Sequence, residues 1–250
     1  MKFIGIDIGS TCAKTVVMNE NKEIVLEFVQ PTGWSSVDTA EEIRKKLVEN
    51  DADPAENVCV ATGYGRVSVP YADKMITEIT CHAMGAVWIF DNKDMTIIDI
   101  GGQDAKAIKL DERGGVSQFF MNDKCAAGTG RFIDVMARVL EVTISEMQDY
   151  DAKATEAAPI SSTCTVFAES EVISQLSQGT AKENIIAGVH ASVAVKACGL
   201  AHRGGVTPDV VMSGGVAQNA GVVRAISKEL KQEVIVAPHP QVAGALGAAL

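Results

Sequence analysis

In the first part of the chain, the pattern of apolar and polar positions predicts three strands, a helix and a fourth strand. Short runs rich in Ile and Val, separated by polar breaks, are typical of buried strands. Three such runs come first: FIGIDIG from Phe3, TVVMN from Thr15 and EIVLEFVQ from Glu23. DTAEEIRKKLVEN then has apolar residues at the spacing of one helical face, which predicts a helix with Asp38 as its N-cap. NVCVATGYG, from Asn57, is a further strand that enters a glycine turn.

The same pattern recurs in the second part of the chain. MTIIDIGG from Met95, AKAIKL from Ala105 and VSQFFMN from Val116 again predict three strands. RFIDVMARVL follows, with one apolar stripe at helical spacing. Each half ends its first strand with Asp-Ile-Gly, at 7–9 and at 99–101. The repetition indicates a duplicated unit of three strands and a helix rather than a short-period solenoid.

This duplication predicts an α/β fold of two lobes that face each other across a cleft. The sequence contains no Pro/Ser-rich linker, so we expect packed, hinged lobes with a boundary between 92 and 95. We therefore predict a first lobe at 1–94 and a second lobe at 95–241. A C-terminal helix, at about 242–250, is expected to pack back on the first lobe.

Charge and composition exclude several classes of partner. The chain of 250 residues carries a net charge of -10, which argues against nucleic acid or an anionic membrane surface as the main partner. Asp7 interrupts any signal-peptide core, and the longest apolar stretches are judged too short to span a membrane. Six cysteines without a secretion signal are expected to be reduced thiols or ligands. We therefore predict a cytoplasmic protein.

The repeated Asp-Ile-Gly turns are candidate phosphate-binding elements. Glycine lets backbone N–H groups approach a phosphate closely. A carboxylate at that place would repel phosphate unless a cation such as Mg²⁺ lies between them, and Lys14 would neutralise further charge. A single Gly-Ser turn after a strand is a weak signal, because most such turns bind nothing. Two copies from opposed lobes are a stronger signal, because together they would clamp one polyphosphate.

A third glycine element, DVVMSGGVAQN at 209–219, combines a buried strand with a Ser-Gly-Gly turn against which a flat nucleoside could lie. In order and spacing, the three elements resemble the motifs of the actin, Hsp70 and sugar-kinase ATPase superfamily. Residues 7–14 resemble the phosphate-one motif, 99–104 the phosphate-two motif and 213–219 the adenosine motif. The resemblance implies a two-lobed, actin-like ATPase fold that closes around ATP or ADP with Mg²⁺.

The resemblance also implies a role for each matching residue. Asp7 would hold the water shell of the Mg²⁺, while Gln103 and Asp104 would orient the attacking water or the metal. These three are the predicted catalytic residues, in a reaction that depends on positioning and electrostatics rather than on covalent catalysis. The predicted nucleotide contacts are Gly9, Ser10, Thr11, Lys14, Gly101, Gly102, Gly214, Gly215 and Asn219.

Two of the six cysteines lie in turns that precede predicted helices. Cys125 lies in NDKCAAGTG and Cys164 in ISSTCTVF, and a helix N-terminus favours an anionic thiolate or cluster. A nucleophile would need an adjacent base, which no motif here supplies, and a disulfide is not expected in the cytosol. Plain turn residues and a ligand pair remain open. Two thiolates are an incomplete metal site, whereas a homodimer would bring together four, which suits a 4Fe-4S cluster.

The other candidate residues receive structural interpretations. Cys12, Cys59 and Cys198 lie in apolar strand or helix patterns and are expected to be inert core residues. Cys81, beside His82, is ambiguous, and a helix interior is its plainer interpretation. Glu169 and Glu171 are interpreted as surface carboxylates in the first turns of the helix after Cys164. Trp34 and Trp88 are interpreted as packing residues. The four histidines show no mutual spacing that indicates a metal site or a base, so none is assigned a role.

Three longer stretches resemble one family within that superfamily. MNDKCAAGTGRFIDVMA at 121–137, ISSTCTVFAESEVISQL at 160–176 and ATGYGR at 61–66 are similar to the activators (component A) of 2-hydroxyacyl-CoA dehydratases, most nearly the 2-hydroxyglutaryl-CoA type. The ATPase subunits of benzoyl-CoA reductases share the pattern. The resemblance runs from 4 to 250. It departs at GALGAAL, where such proteins continue for about two more helical turns.

This resemblance implies an ATPase that is coupled to low-potential electron transfer. One 4Fe-4S cluster would be bound per homodimer, by Cys125 and Cys164 of both subunits. The protein would take an electron from ferredoxin or flavodoxin and deliver it, driven by ATP hydrolysis, to a 2-hydroxyacyl-CoA dehydratase. One alternative is a small-metabolite kinase of the same fold, for whose substrate-binding insertion the chain has little room. Another is a non-redox nucleotide switch, which would leave both cysteines unexplained.

Overall fold

The computed structural model describes residues 1–161 and 164–250. The strands are β1 (Phe3–Ile8), β2 (Cys12–Met18), β3 (Ile24–Pro31), β4 (Val58–Thr62), β5 (Lys74–Met75), β6 (Met95–Ile100), β7 (Ala105–Leu110), β8 (Val116–Asn122), β9 (Asp209–Ser213) and β10 (Val234–Val236). The helices are α1 (Ser36–Glu49), α2 (Glu78–Phe90), α3 (Gly130–Val139), α4 (Ile144–Asp151), α5 (Thr165–Ser177), α6 (Lys182–Gly204), α7 (Ala220–Leu230) and α8 (Ala243–Ala249). Short 3₁₀ segments lie at Tyr64–Ser68 and Gly215–Gln218.

The strands form two five-stranded sheets of the same topology. The first sheet has the order β3-β2-β1-β4-β5 and the second the order β8-β7-β6-β9-β10, so each strand of one sheet has a counterpart in the other. Strand β1 is antiparallel to β2 and parallel to β4, and β6 is likewise antiparallel to β7 and parallel to β9. The predicted α/β duplication is therefore confirmed, and it extends to the direction of the neighbouring strands.

The chain divides into two compact units. Unit 1 comprises Met1–Asp94, Leu110–Ser117 and Ala237–Leu250, and unit 2 comprises Met95–Lys109 and Gln118–Val236. The first sheet, α1, α2 and α8 thus belong to unit 1, whereas α3 to α7 and most of the second sheet belong to unit 2.

The core of unit 1 lies on both faces of its sheet. Ile6 of β1 and Leu47 of α1 belong to one buried cluster. Met18 of β2 and Leu246 of α8 belong to another, on the opposite face. Gly5 of β1 faces α8, where a Cβ would collide with the helix backbone. The missing side chain lets the C-terminal helix lie directly on the central strand.

Helix α1 begins before the predicted position at Asp38. The hydroxyl of Ser35 accepts a hydrogen bond from the N–H of Asp38 at 3.2 Å and so caps the helix, which starts at Ser36. Asp38 lies in the first turn, where a negative charge is favourable. Trp34, just before the cap, is fully exposed, so the interpretation of this residue as a packing residue is wrong.

Unit 2 has a large continuous core, in which the predicted apolar stripe of α3 is confirmed. Phe132 and Met136 of α3 are fully buried. Contrary to the expectation from sequence, α6 is long and apolar enough to cross a membrane by length and composition alone, with 23 residues. Its apolar side chains, among them Val189 and Val193, are buried in the same core. We therefore interpret α6 as the core helix of unit 2.

Candidate functional site

The first Asp-Ile-Gly turn connects β1 to β2 in unit 1. The N–H of Gly9 donates to the carbonyl oxygen of Cys12 at 3.1 Å, which closes the turn. Thr32 anchors it from the end of β3: its hydroxyl donates to the Gly9 carbonyl at 2.6 Å, and its N–H donates to the Thr11 carbonyl at 3.0 Å. Ser10 and Thr11 lie at the exposed tip. The anchored turn therefore presents two hydroxyl groups to solvent.

Asp7 lies beside this turn and is almost completely buried. It pairs in register with Lys14, whose Nζ donates to Oδ2 of Asp7 at 3.0 Å. The other carboxylate oxygen, Oδ1, is buried and accepts no hydrogen bond from any described residue. A Cβ on Gly63 would collide with Oδ1, so the carboxylate lies directly against the backbone there. A buried carboxylate oxygen without a donor is costly unless a ligand satisfies it, which fits the Mg²⁺ and water shell expected here.

The second Asp-Ile-Gly turn, in unit 2, is closed in the same way. The N–H of Gly101 donates to the carbonyl oxygen of Asp104 at 2.9 Å, and Gln103 is exposed at the tip. The Asp104 side chain is buried. Its Oδ1 lies over Gly101, where it would be 2.6 Å from a Cβ, and its Oδ2 forms an ion pair with Lys106 Nζ at 2.8 Å. The Asp104 carboxylate is thus held by Lys106 of β7, with its other oxygen against the backbone of the turn.

The two turns correspond residue by residue. DIGSTCAK at 7–14 matches DIGGQDAK at 99–106, and in each segment the initial Asp pairs in register with the final Lys. Cys12 therefore occupies the place that Asp104 has in unit 2. Cys12 is the first residue of β2 and is half-buried, so its assignment to the inert core is wrong.

The Ser-Gly-Gly segment after β9 lies against the second turn. Ser213 pairs in register with Asp99, and its hydroxyl donates to Oδ1 of Asp99 at 2.8 Å. Gly214 has a φ of 86°, and a Cβ there would collide with the carbonyl oxygen of Ile100. The backbone then enters the 3₁₀ segment Gly215–Gln218. The structure thus brings the glycines of the predicted adenosine motif next to the second phosphate turn.

Asn219, the last residue of that motif, caps a helix. Its Oδ1 accepts hydrogen bonds from the N–H groups of Gly221 at 2.9 Å and Val222 at 3.3 Å. These bonds fix the N-terminus of α7, which begins at Ala220. The side-chain oxygen of Asn219 therefore has a structural role of its own.

Cys125 lies half-buried in the turn between β8 and α3, against the core of unit 2. Asn122 spans this turn, because its side-chain amide donates to the carbonyl oxygens of Cys125 at 2.8 Å and Ala127 at 3.0 Å. Gly128 has a φ of 84°, a conformation that favours glycine. These features hold the turn in shape and leave the thiol of Cys125 partly exposed.

The helix that follows Cys125 is joined to the second phosphate turn. The N–H of Gly130 donates to the carbonyl oxygen of Gly101 at 2.9 Å, and the N–H of Arg131 donates to that of Gly102 at 2.7 Å. These are the first two amides of α3, and such amides have no partner within their own helix. The predicted phosphate turn thus supplies the acceptors for the N-terminus of the cysteine-bearing element.

Cys164 is the N-cap residue of α5 and is partly exposed. Ser162 and Thr163, which belong to the predicted Ser/Thr-rich turn, lie outside the described residues. Glu171 of α5 accepts a hydrogen bond from the N–H of Ser161 at 2.5 Å. It therefore binds the backbone of Ser161, and its interpretation as a plain surface carboxylate is wrong. Helix α5 also exposes four large apolar side chains: Val166, Phe167, Ile173 and Leu176.

Comparison with known proteins identifies a family. The profile of the BadF/BadG/BcrA/BcrD ATPase family matches residues 4–250. The chain belongs to this family. It is 58% identical to the activator of lactoyl-CoA dehydratase from Anaerotignum propionicum over 251 residues, which are 100% of this chain and 96% of that protein.

Two solved structures of dehydratase activators also match this ATPase family member over 100% of its length. Component A of the (R)-2-hydroxyglutaryl-CoA dehydratase from Acidaminococcus fermentans has 50% identity, a TM-score of 0.93 and 96% of its chain covered. The activator of the 2-hydroxyisocaproyl-CoA dehydratase from Clostridium difficile, with bound ADPNP, has 47% identity, a TM-score of 0.92 and 93% covered. The predicted resemblance, the actin-like ATPase fold and the ATPase class are therefore confirmed.

Sequence reasoning did not single out Lys106 or Thr62 of this ATPase. The sequence indication for Lys106 was the Ala-Lys pair that ends both eight-residue segments beginning with Asp-Ile-Gly. Thr62 pairs in register with Asp7, as Ser213 does with Asp99. The sequence indication for Thr62 was the Thr-Gly pair at the end of β4, which matches the Ser-Gly pair at the end of β9.

Sequence reasoning also missed a polar cluster next to Asn219, which is centred on a buried histidine. His190 of α6 is fully buried, with its Nδ1 3.0 Å from Oδ1 of Asp151 in α4. Arg224 of α7 donates to Oδ2 of Asp151 at 2.6 Å. Burial opposes the ionisation of Asp151, but the hydrogen bonds from His190 and Arg224 outweigh it and hold the pKa of Asp151 below its ordinary value. No spacing in the sequence indicates this contact, because packing of three helices creates it.

Three of the remaining thiols are inert, as expected. Burial raises the pKa of Cys59 and of Cys198 to about 12, and that of Cys81 to about 11. A thiol with so high a pKa is protonated at neutral pH and is a poor ligand or nucleophile. Cys81 lies inside α2, where the sequence pattern placed it.

Proposed function

We propose that this chain is an ATP-dependent electron-transfer activator of a 2-hydroxyacyl-CoA dehydratase in the cytoplasm. The names of its relatives support the kind of partner. The observation that carries the proposal is the pair of hydrogen bonds from the first amides of α3 to the carbonyl oxygens of Gly101 and Gly102. Because these bonds join a predicted phosphate turn to the helix after Cys125, a nucleotide can act on the cysteine site. Ferredoxin or flavodoxin would supply the electron.

In unit 1, the first turn would bind the phosphates of ATP or ADP. Asp7 would hold the water shell of a Mg²⁺ ion through its unsatisfied Oδ1. The exposed hydroxyls of Ser10 and Thr11 and the backbone of Gly9 would replace water around the phosphate oxygens. Lys14, whose side chain is 20% exposed, would reach a phosphate while it stays paired with Asp7. Mg²⁺, when bound, would neutralise charge on the phosphates.

In unit 2, Gly101 and Gly102 would cradle phosphate, while Asp104 and the exposed Gln103 would orient the attacking water. The fixed carboxylate of Asp104 supports this role, since hydrolysis depends on positioned groups. The residues proposed to border the nucleoside are Gly214, Gly215 and Asn219.

Cys125 and Cys164 would bind a 4Fe-4S cluster together with the same two cysteines of a second copy. Each thiol is partly exposed near the start of a helix, and the helix dipole favours a negatively charged cluster. The exposed apolar residues of α5, next to Cys164, form a surface that a second copy would cover. The cluster, when bound, would supply the one-electron chemistry that delivers the electron to the dehydratase.

Cysteine variants test this proposal. After anaerobic reconstitution, Cys125→Ser and Cys164→Ser are expected to lose both bound iron and ATP-dependent activation of the dehydratase, while they still bind ADP. Cys59→Ala is the matched control, because Cys59 is buried in the core of unit 1, and it is expected to keep iron and activation. Retention of iron and activation by both serine variants would rule out the ligand assignment. An iron-free protein that phosphorylates a small metabolite would favour the kinase alternative.

A further inference from the structure

The two units carry a lysine at the same register position, but the two lysines have different surroundings. Lys14 of β2 pairs in register with Asp7 of β1, and Lys106 of β7 pairs in register with Asp99 of β6. The side chain of Lys14 is 20% exposed, whereas that of Lys106 is 1% exposed. Lys14 can therefore meet a phosphate from solvent, but Lys106 cannot. The same register position therefore has a different environment in each unit.

Lys106 lies between two buried carboxylates. Its Nζ is 3.2 Å from Oδ2 of Asp99 and 2.8 Å from Oδ2 of Asp104. The opposite oxygen of Asp99 accepts the hydroxyl of Ser213 at 2.8 Å. A line of hydrogen bonds and ion pairs thus runs from the end of β9, through Asp99 and Lys106, to Asp104. Buried ion pairs of this kind depend strongly on each partner, because the loss of one leaves an uncompensated charge.

We propose that Lys106 is a positioning residue for ATP hydrolysis, which holds the carboxylate of Asp104 in its working orientation. The inference rests on the proposed role of Asp104 in orienting the attacking water. Oδ1 of Asp104 lies over Gly101, and Lys106 holds Oδ2, so the lysine fixes the rotation of the carboxylate. Through Asp99 and the hydroxyl of Ser213, the same lysine ties that orientation to the start of the adenosine segment.

Because Lys106 is not accessible to the nucleotide, its loss affects turnover rather than binding. In steady-state ATP hydrolysis by the intact protein, Lys106→Met is expected to lower kcat about tenfold to a hundredfold, the usual effect of a small misplacement of a positioned group. The KM for ATP is expected to change less than about threefold, since no contact to bound ATP is removed. Lys109→Met is the matched control on the same strand. Lys109 donates to the carbonyl oxygen of Gly204 at 3.0 Å, and its variant is expected to keep kcat and KM.

A double variant separates positioning from a general structural effect. If Lys106 acts through Asp104, then Asp104→Asn combined with Lys106→Met is expected to be no slower than Asp104→Asn alone. Losses that multiply in the double variant would overturn the inference, as would an unchanged kcat or a KM that rises as much as kcat falls. Lys106→Gln, which keeps a hydrogen-bond donor, is the second variant for the case in which Lys106→Met does not fold. It is expected to show an intermediate kcat, and a wild-type kcat would overturn the inference.

The same experiment distinguishes this inference from the proposed function. A slow Asp104→Asn variant together with a fully active Lys106→Met variant would remove the positioning role alone. Full activity in the Asp104→Asn variant would remove the assigned role of Asp104, and the inference with it. Loss of bound iron is not expected in any of these variants, because none of the changed residues belongs to either cysteine turn.

Discussion

The hydrogen bonds between α3 and the second phosphate turn allow a specific test of nucleotide coupling. Gly130→Pro would remove the N–H that donates to the carbonyl oxygen of Gly101 at 2.9 Å. Gly130 is the first residue of α3, and Thr129 before it is extended, with φ -123° and ψ 173°, so the helix start admits proline, while the proline ring would also push the Gly101 oxygen away. Gly130→Ala is the matched control, because it also adds atoms there, with its Cβ 3.1 Å from the Gly101 oxygen, but keeps the N–H.

The single lost donor sets the smallest effect that is expected, and repulsion by the proline ring can only add to it. A backbone hydrogen bond contributes about 1 kcal/mol net, which corresponds to about a fivefold change in a nucleotide-dependent equilibrium. The assay is the rate at which a chelator removes iron from the reconstituted protein, measured with a non-hydrolysable ATP analogue and with ADP. We expect the ratio of the two rates to move about fivefold toward one in Gly130→Pro and to persist in Gly130→Ala. An unchanged ratio in Gly130→Pro would refute coupling through this bond.

Three further predictions concern nucleotide binding, the backbone and acid stability. Lys14→Met is expected to raise the KM for ATP about tenfold or more through the loss of a charged hydrogen bond, and an unchanged KM in hydrolysis assays would contradict that contact. Gly214→Ala is expected to destabilise the fold by at least about 1–3 kcal/mol in urea unfolding, because its φ is positive and the new Cβ would collide with the Ile100 backbone, whereas Gly199→Ala, in a helix where a Cβ meets no neighbour, is expected to be neutral or stabilising. Asp151 has a lowered pKa in the folded state, so its ionised form stabilises the protein above its ordinary value of 3.8, and this stabilisation is lost as the pH falls through the folded pKa. Arg224→Met is expected to raise that folded pKa and reduce the acid dependence of the unfolding midpoint, so parallel pH profiles for the two proteins would contradict the assignment.

The sequence predicts the strands and the duplication well because the apolar runs are short and bounded by glycine turns. The Asp-Ile-Gly repeats mark the ends of β1 and β6, and both turns form where they are expected. The apolar stripe of α3 is equally clear, since its spacing admits one buried face. These features are local, so a reading of neighbouring residues is sufficient to find them.

Features that depend on distant residues were missed or misjudged. Cys12 is half-buried because it is the first residue of β2, next to the exposed residues Ser10 and Thr11. The contact of His190 with Asp151 exists only because α4 and α6 pack together. Lys106 is an exception, because the comparison of the two eight-residue segments would have found it. However, the sequence pattern does not show that Lys106 is buried between two carboxylates, because that burial depends on how β7 packs within unit 2.

The central claim is that Cys125 and Cys164 form a shared cluster site under the control of ATP. Its most direct test is anaerobic purification, followed by measurement of iron, acid-labile sulfide and mass in solution on the same sample. The account predicts about four irons and four sulfides per dimer. A protein that remains free of iron after anaerobic reconstitution would contradict this claim, and both cysteines would then be interpreted as plain turn residues.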